Sequence, residues 1–307
     1  MSTFGQSDRS ALPLAVLGAG TMGRGIAMVA LRAGFPTTLV DVDQSVLDAA
    51  RDAIERRLAR EAARQTDGVQ PAGTADLMAA LRLSTDLEAA VASAAAVIEA
   101  VPEVDELKAE VYRRLAGSAP AGALLASNTS TMSVSRLAEN AGDPTRVIGM
   151  HFFNPVHRMD LVEVIVGRRT SEQTQAEALD LATALGKDPI VVQDTPGFVT
   201  SRLGLLLGNE AMRLVEEKVA SAADVDKAMR LGYRHPMGPL ELADLVGLDA
   251  RLNNVRSMHR QSGLDKYGPP GILERLVAAG RLGRKTRSGF YRYAEDGTVL
   301  GPAEDLP

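Results

Sequence analysis

Leu12-Pro-Leu-Ala-Val-Leu17 runs directly into Gly18-Ala-Gly-Thr-Met-Gly23, and this stretch decides the fold. A short apolar run that ends on glycine reads as a buried strand entering a tight turn. Arg24 to Arg32 follows with Ile26, Val29 and Ala30 at helical spacing, and Gly34 stops it. Strand, Gly-x-Gly-x-x-Gly turn and helix in that order form a dinucleotide-binding fingerprint. Gly18 allows the turn, Gly20 lets the backbone approach a pyrophosphate, and Gly23 lets helix and strand pack closely. Thr21 and Met22 open a helix whose free N–H groups and positive dipole end suit phosphate. A glycine turn alone also occurs in βα units that bind nothing. Here Asp41 stands 23 residues after Gly18, at the end of a second strand-like run, Thr37 to Val40. An acid near that distance accepts hydrogen bonds from an adenosine ribose diol and repels a 2′-phosphate, so NAD is expected over NADP.

The alternation continues outward. Ser45 to Ala63 reads as a helix with Arg51, Arg56, Arg57, Arg60 and Arg64 along one side, and Thr66 to Thr74 as a turn between two helices. Ala94 to Ala100, Ala123 to Ala126, Val147 to Met150, Leu161 to Val166 and Ile190 to Val192 read as further strands. Helices are expected at Asp105 to Leu115, Ser133 to Ala138 and Thr174 to Leu185. After Asp194-Thr-Pro-Gly197 the pattern turns helical, through Phe198 to Val219, a Ser221-capped stretch to Leu231, Pro239 to Val246, Ala250 to His259 and Ile272 to Ala279. Strand character returns only at Gly289-Phe290-Tyr291. The expected architecture is α/β: a Rossmann-type, doubly wound, mostly parallel sheet over residues 1–194, then an all-helical C-terminal domain over 195–307.

Composition bounds the rest. The chain has 307 residues, 45% hydrophobic and 24% charged, with a formal net charge of −5. It is long enough to bury roughly three quarters of its unfolded surface. Zero cysteines exclude disulfides, thiolate metal sites and a cysteine nucleophile, and no metal site is expected. The acidic balance argues against general nucleic-acid binding. No apolar run is long enough for a membrane span, and Met1 to Ser10 lack the form of a secretory signal. A cytoplasmic protein is the expectation.

His151 follows the run Val147 to Met150, at the carboxyl end of a strand, where open α/β sheets bind ligands. Glu163 lies inside Leu161-Val-Glu-Val-Ile-Val166, where a carboxylate is costly to bury unpaired. Two arrangements fit. Glu163 accepts from one imidazole nitrogen and leaves the other as a base, or His151 caps a strand while Glu163 faces water from an edge.

The combination Gly18-Ala-Gly-Thr-Met-Gly, Glu99-Ala-Val-Pro-Glu103, Ser127-Asn-Thr-Ser130, His151-Phe-Phe-Asn154-Pro155 and Asp194-Thr-Pro-Gly-Phe198 resembles the 3-hydroxyacyl-CoA dehydrogenase family. The resemblance, which includes the bacterial 3-hydroxybutyryl-CoA dehydrogenases, runs from about Leu14 to Tyr293. It implies a homodimer formed through the helical domain, an acyl-CoA substrate, a place in fatty-acid metabolism, and oxidation of an (S)-3-hydroxyacyl-CoA to the 3-ketoacyl-CoA with NAD. It implies that His151 is the base, Glu163 its partner, and Ser130 and Asn154 residues at the reacting centre. Glu103, Lys108 and Lys285 correspond to cofactor-contacting positions; otherwise Glu103 and Lys108 are a helix-start acid and an exposed lysine. Ser130 also suits a helix cap.

The family's usual Asn before Arg202 is Ser201 here, which bears on the acyl pocket. The basic face at Arg57, Arg60 and Arg64 is a candidate for the CoA phosphates, or a solvated helix face. A sugar-acid dehydrogenase related to λ-crystallin, and a non-catalytic dinucleotide-binding protein, are the alternatives. Asp41→Ala is expected to raise the apparent NAD constant and narrow the preference over NADP, read as the ratio of kcat/KM with the two cofactors; an unchanged ratio would remove Asp41 from the ribose.

Overall fold

Short runs of Leu, Val, Ile and Ala build the strands β1 (Leu14–Leu17), β2 (Thr37–Val40), β3 (Leu81–Ser84), β4 (Ala96–Glu99), β5 (Leu124–Ser127), β6 (Val147–Phe152), β7 (Leu161–Val166) and β8 (Asp188–Gln193). They form one eight-stranded sheet in the order β3-β2-β1-β4-β5-β6-β7-β8. Neighbours are parallel throughout, except that β6 and β7 pair antiparallel. The computed structural model describes residues 4, 8–63 and 73–306. It divides into two compact units, Met1–Phe198 and Val199–Pro307.

In the first unit, helices α1 (Thr21–Arg32), α2 (Gln44–Ala62), α3 (Thr74–Ala79), α4 (Leu87–Val91), α5 (Asp105–Ser118), α6 (Val134–Ala138) and α7 (Glu172–Ala184) connect the strands. The alternation of side chains along each strand splits the core in two. Leu14, Val16 and Ile98 pack with α1, α2 and α7 residues such as Ile26, Leu47 and Leu181. Ala15, Leu17 and Val97 pack with Val91, Val111 and Leu137 from α4, α5 and α6. Asp43, Asp86 and Ser171 each cap a helix by accepting a backbone N–H from its first turn. Chain order turns back at β1, which has β2 on one side and β4 on the other. The connections leaving β1 and β4 therefore diverge and open a crevice at the strands' carboxyl ends.

Leu81-Arg-Leu-Ser84 joins the sheet as the edge strand β3, which the apolar pattern does not reveal: the segment is short and only partly buried. The short helix α4 is likewise an addition, whereas α3 is the helix expected after the Thr66 to Thr74 turn. The turn expected over Thr66 to Thr74 lies mostly outside the described residues, as does Arg64, and the polar start Met1 to Ser10 is described only in part.

The second unit is helical, with α8 (Thr200–Glu216), α9 (Ala222–Gly232), α10 (Pro239–Val246), α11 (Leu248–Ser262) and α12 (Gly271–Ala278), and closes on a hairpin of β9 (Tyr291–Tyr293) and β10 (Val299–Pro302). Two buried carboxylates hold it together. Asp226 accepts the Leu240 and Glu241 N–H groups at the start of α10, and the Tyr291 hydroxyl donates to it at 2.8 Å. Asp244 accepts the N–H groups of Phe290 and Tyr291 and the Tyr293 hydroxyl. No described helix is long and apolar enough to cross a membrane.

Burial pushes the Asp244 carboxyl from its ordinary 3.8 up to about 6. The folded chain then holds this proton more tightly than the unfolded one. The group's contribution to stability is complete below pH 3.8 and is lost as pH rises through about 6. The wild-type chain should lose about 3 kcal/mol relative to Asp244→Asn across this window, measured by denaturant unfolding at a series of pH values. A difference independent of pH would contradict the assignment.

Candidate active site

The glycine motif separates into two roles. Gly18 has φ +94, and a Cβ there would lie 2.7 Å from the Ala100 carbonyl oxygen. A Cβ on Gly23 would collide with the Gly18 carbonyl. Both glycines are thus demanded by the close approach of β1, β4 and α1. Gly20 differs: its φ of −65 suits any residue, and a Cβ there would meet nothing within 4 Å. That open space lies at the start of α1, whose first turn has no side-chain cap. A backbone left bare at an uncapped helix start fits a dinucleotide pyrophosphate. Asp41 stands at the end of β2, where its Oδ2 accepts the Ala19 N–H at 2.8 Å and ties the acid to the glycine turn.

A cleft of about 610 Å³ extends from this turn along the strand ends. Gly18, Gly20, Thr21, Met22, Asp41, Glu103, Ser130, His151 and Asn154 all line it. Gly23 lies beneath, packed against the turn. The expected cofactor residues of the first unit and the expected catalytic residues, Gly23, Glu163 and Lys108 apart, therefore share one cleft.

His151 and Glu163 are directly opposed in the antiparallel β6–β7 pair. Their side chains meet, His151 Nδ1 lying 2.7 Å from Glu163 Oε2. Glu163 is fully buried and His151 is 9% exposed. The imidazole is walled by Phe153, with ring centroids 4.5 Å apart, and by Phe198, at 6.1 Å. Phe198 has φ +50, a left-handed conformation that a bulky residue adopts only where its surroundings hold it. It ends a turn in which its N–H donates to the Thr195 carbonyl at 3.0 Å, across Pro196 and a left-handed Gly197. Asp194, at the head of that turn, accepts the Ser133 hydroxyl and the N–H groups of Val134 and Ser135.

Asn128 and Ser130, from the loop Ser127-Asn-Thr-Ser130, line the same cleft as His151. Asn128 Oδ1 accepts the Phe152 N–H at 2.8 Å, fixing this loop to the strand that carries His151. Glu103 Oε1 accepts the Ser130 N–H at 2.6 Å, with the Ser130 hydroxyl at 3.2 Å. Ser130 does not cap α6, because Ser133 accepts the Arg136 N–H instead. Lys187, also outside the expected set, donates to the carbonyls of Val156 and Met159 and pins the loop that bears Asn154.

Several expected residues are placed elsewhere. Lys108 is neither an exposed lysine nor a lining residue of the cleft. It is 1% exposed, and its Nζ lies between Glu99 and Glu103, because the first turns of α5 pack over the end of β4. Arg57 lines an adjoining groove of about 230 Å³ with Arg24, Asn154 and His157. Ser201 lies on the first turn of α8 in the helical unit; Lys285, exposed in the same unit, lies in a short helical turn at residues 284–286, its Nζ 2.6 Å from Asp249 Oδ2. Glu99, Asn128 and Phe198 stand in the quoted motifs without an expected role, and Lys187 in none of them; of the four, only Glu99, a carboxylate inside an apolar strand, carries a signal of the kind that singles out Glu163. Among the described residues no cluster of His, Cys, Asp or Glu is arranged to hold a metal ion.

Comparison with known proteins bears on this site. Residues 13–195 match the family model for the NAD binding domain of 3-hydroxyacyl-CoA dehydrogenase, and residues 197–293 match that for its C-terminal domain. The chain is 41% identical over 280 residues to a probable 3-hydroxybutyryl-CoA dehydrogenase of Deinococcus radiodurans, covering 91% of this chain and 99% of the relative. It is 40% identical over 280 residues to the 3-hydroxybutyryl-CoA dehydrogenase of Bradyrhizobium diazoefficiens, covering 91% and 94%. The crystal structure of (S)-3-hydroxybutyryl-CoA dehydrogenase from Ralstonia eutropha superposes with a TM-score of 0.89 at 37% identity, covering 93% of this chain and 100% of that one.

Gly20→Val should fold with an unchanged melting temperature and raise the KM for NAD at least about tenfold, whereas Gly23→Val should fail to fold. Normal NAD kinetics in Gly20→Val would place the pyrophosphate elsewhere.

Proposed function

The chain belongs to the 3-hydroxyacyl-CoA dehydrogenase family, and on that premise we propose that it oxidises short-chain (S)-3-hydroxyacyl-CoA thioesters, 3-hydroxybutyryl-CoA among them, to the 3-ketoacyl-CoA. The observation that carries this reading is the 2.7 Å contact between His151 Nδ1 and a fully buried Glu163, beside the cleft of the glycine turn. The names of the relatives from Bradyrhizobium diazoefficiens and Ralstonia eutropha support the short chain and the stereochemistry.

The residues divide the work. With Nδ1–H donated to Glu163, the imidazole keeps its Nε2 lone pair for the substrate's 3-hydroxyl proton. When that proton arrives, the carboxylate offsets the imidazolium charge in an apolar surround where it would otherwise be costly. Phe153 and Phe198 exclude water around the ring. Ser130 and Asn154 orient the 3-oxygen by hydrogen bonds. Bound NAD supplies the hydride acceptor, held by the start of α1, Asp41 and Glu103. Reduction of the ketone consumes a proton through the same imidazole, so a falling pH favours that direction.

The groove beside the cleft suits the anionic CoA. Arg57 and Arg32 share a single carboxylate, Glu61, leaving positive charge in excess. His157 reports it: burial first, then Arg57, Arg32, Arg158 and Lys187, holds its imidazole below the usual histidine range. Exposed Leu203 on α8, with Leu242, Leu245 and Val246 on α10, offers an apolar surface for a second copy of the chain.

NADH oxidation with acetoacetyl-CoA, compared with free acetoacetate and a 3-keto sugar acid, tests the substrate class; a preference for either of the last two would overturn it. His151→Gln and Glu163→Gln should each lower kcat by about 10²- to 10⁴-fold while NADH affinity stays unchanged. Near-normal turnover in either variant removes that residue from its role.

A further inference from the structure

Glu99 lies at the end of β4 and Lys108 within α5, and both are 1% exposed. The Lys108 ammonium sits between two carboxylates, 2.7 Å from Glu99 Oε1 and 3.2 Å from Glu103 Oε2. Each carboxylate grips one end of the same loop. Ser127, at its start, donates its hydroxyl to Glu99 Oε2 at 2.7 Å. At its far end Glu103 Oε1 accepts the Thr129 hydroxyl at 2.9 Å, the Ser130 N–H at 2.6 Å and the Ser130 hydroxyl at 3.2 Å. Glu99 Oε1 also accepts the Val101 N–H, which anchors the clamp to the crossover that leads to Glu103.

We infer that Glu99 and Lys108 are positioning residues that act through Glu103: one buried ammonium bridges two carboxylates, and the two carboxylates fix the Ser127–Ser130 loop so that the Ser130 hydroxyl is held at the cleft. The inference rests on the reading above that Ser130 contacts substrate. An ion pair this deep is a costly way to gain stability, since neutral residues of similar shape often serve as well. What charge adds here is geometry. Without Lys108, Glu103 is a half-exposed acid at the cleft rim, free to turn towards water. With it, the carboxylate has one orientation, and Ser130 inherits it. The middle of the loop transmits the same constraint to the strand of His151 through Asn128 and the Phe152 N–H.

Removing Lys108 alone would leave Glu99 buried and unpaired, so the informative variant is Glu99→Gln/Lys108→Met, which removes both charges and keeps the volume. Measured with acetoacetyl-CoA at saturating NADH, it should lower kcat about tenfold or more, the cost expected of a misplaced polar group. In a Ser130→Ala background the same change should cost less than about twofold, because the residue it positions is gone. Equal losses in both backgrounds overturn the inference. Amide exchange gives a readout independent of catalysis: protection of the Ser130 N–H should fall about tenfold in the paired variant while the amides of β1 and β4 hold. Unchanged protection at Ser130 overturns the clamp whatever the kinetics show. Full turnover in Ser130→Ala would instead defeat the catalytic reading of Ser130, and the exchange measurement alone would then decide the clamp.

Discussion

A carboxylate with no exposed surface has to be matched by a partner, and the structure meets that demand by reversing one strand. Through β6 the sheet is parallel, and a parallel neighbour would have entered from the far side after a helical crossover. The chain instead turns back after Phe152, and the antiparallel register sets Glu163 across from His151. Because strand side chains alternate with a period of two, a slip of one residue would carry both groups to opposite faces. The surrounding valines and isoleucines, buried on the same strands, resist such a slip. The position of the imidazole is thus a property of strand pairing, with the phenylalanine walls and the Asn128 tie as secondary constraints.

Much of this was legible before any coordinates. The glycine turn, the apolar runs and Asp41 define the nucleotide half, because a parallel strand buried on both faces leaves an unbroken apolar signature. Glu163 was visible as an acid in the wrong company. What escaped has a common cause. Leu81–Ser84 is an edge strand, so half of its pattern is polar. Lys108 sits on a helix whose amphipathic pattern is weak, and a lysine among acids there reads as surface. Its burial follows from how α5 lies over β4, a tertiary fact without a local trace. Asn128, Lys187 and Phe198 act through contacts with residues far along the chain, and spacing cannot announce those. Whether Glu163 faced water or His151 was undecided for the same reason: only the reversal of β7 selects between them.

The helical unit solves its own problem differently. Its helices share an apolar core of their own, and two buried aspartates add directional bonds to it. Gly238 packs on the Asp226 side chain, Gly289 on that of Asp244 and Gly283 on the Asp244 backbone, each so closely that a Cβ would collide. The hairpin of β9 and β10 is therefore stitched to α9 and α10 by backbone N–H groups and tyrosine hydroxyls. Such directional bonds fix one arrangement where a few leucines would tolerate several.

The backbone at Phe198 has a consequence for how this chain tolerates change. Its left-handed conformation holds strain of order 1–3 kcal/mol. Truncating a buried phenylalanine ordinarily costs about 3–5 kcal/mol. A glycine at this position would lose the ring yet recover the strain, since glycine adopts φ +50 freely. The two effects oppose each other. A survey of stability alone would rank position 198 among the more permissive buried sites, although its side chain forms one wall of the imidazole. Tolerance in the fold and indifference in the chemistry come apart at this corner of the chain.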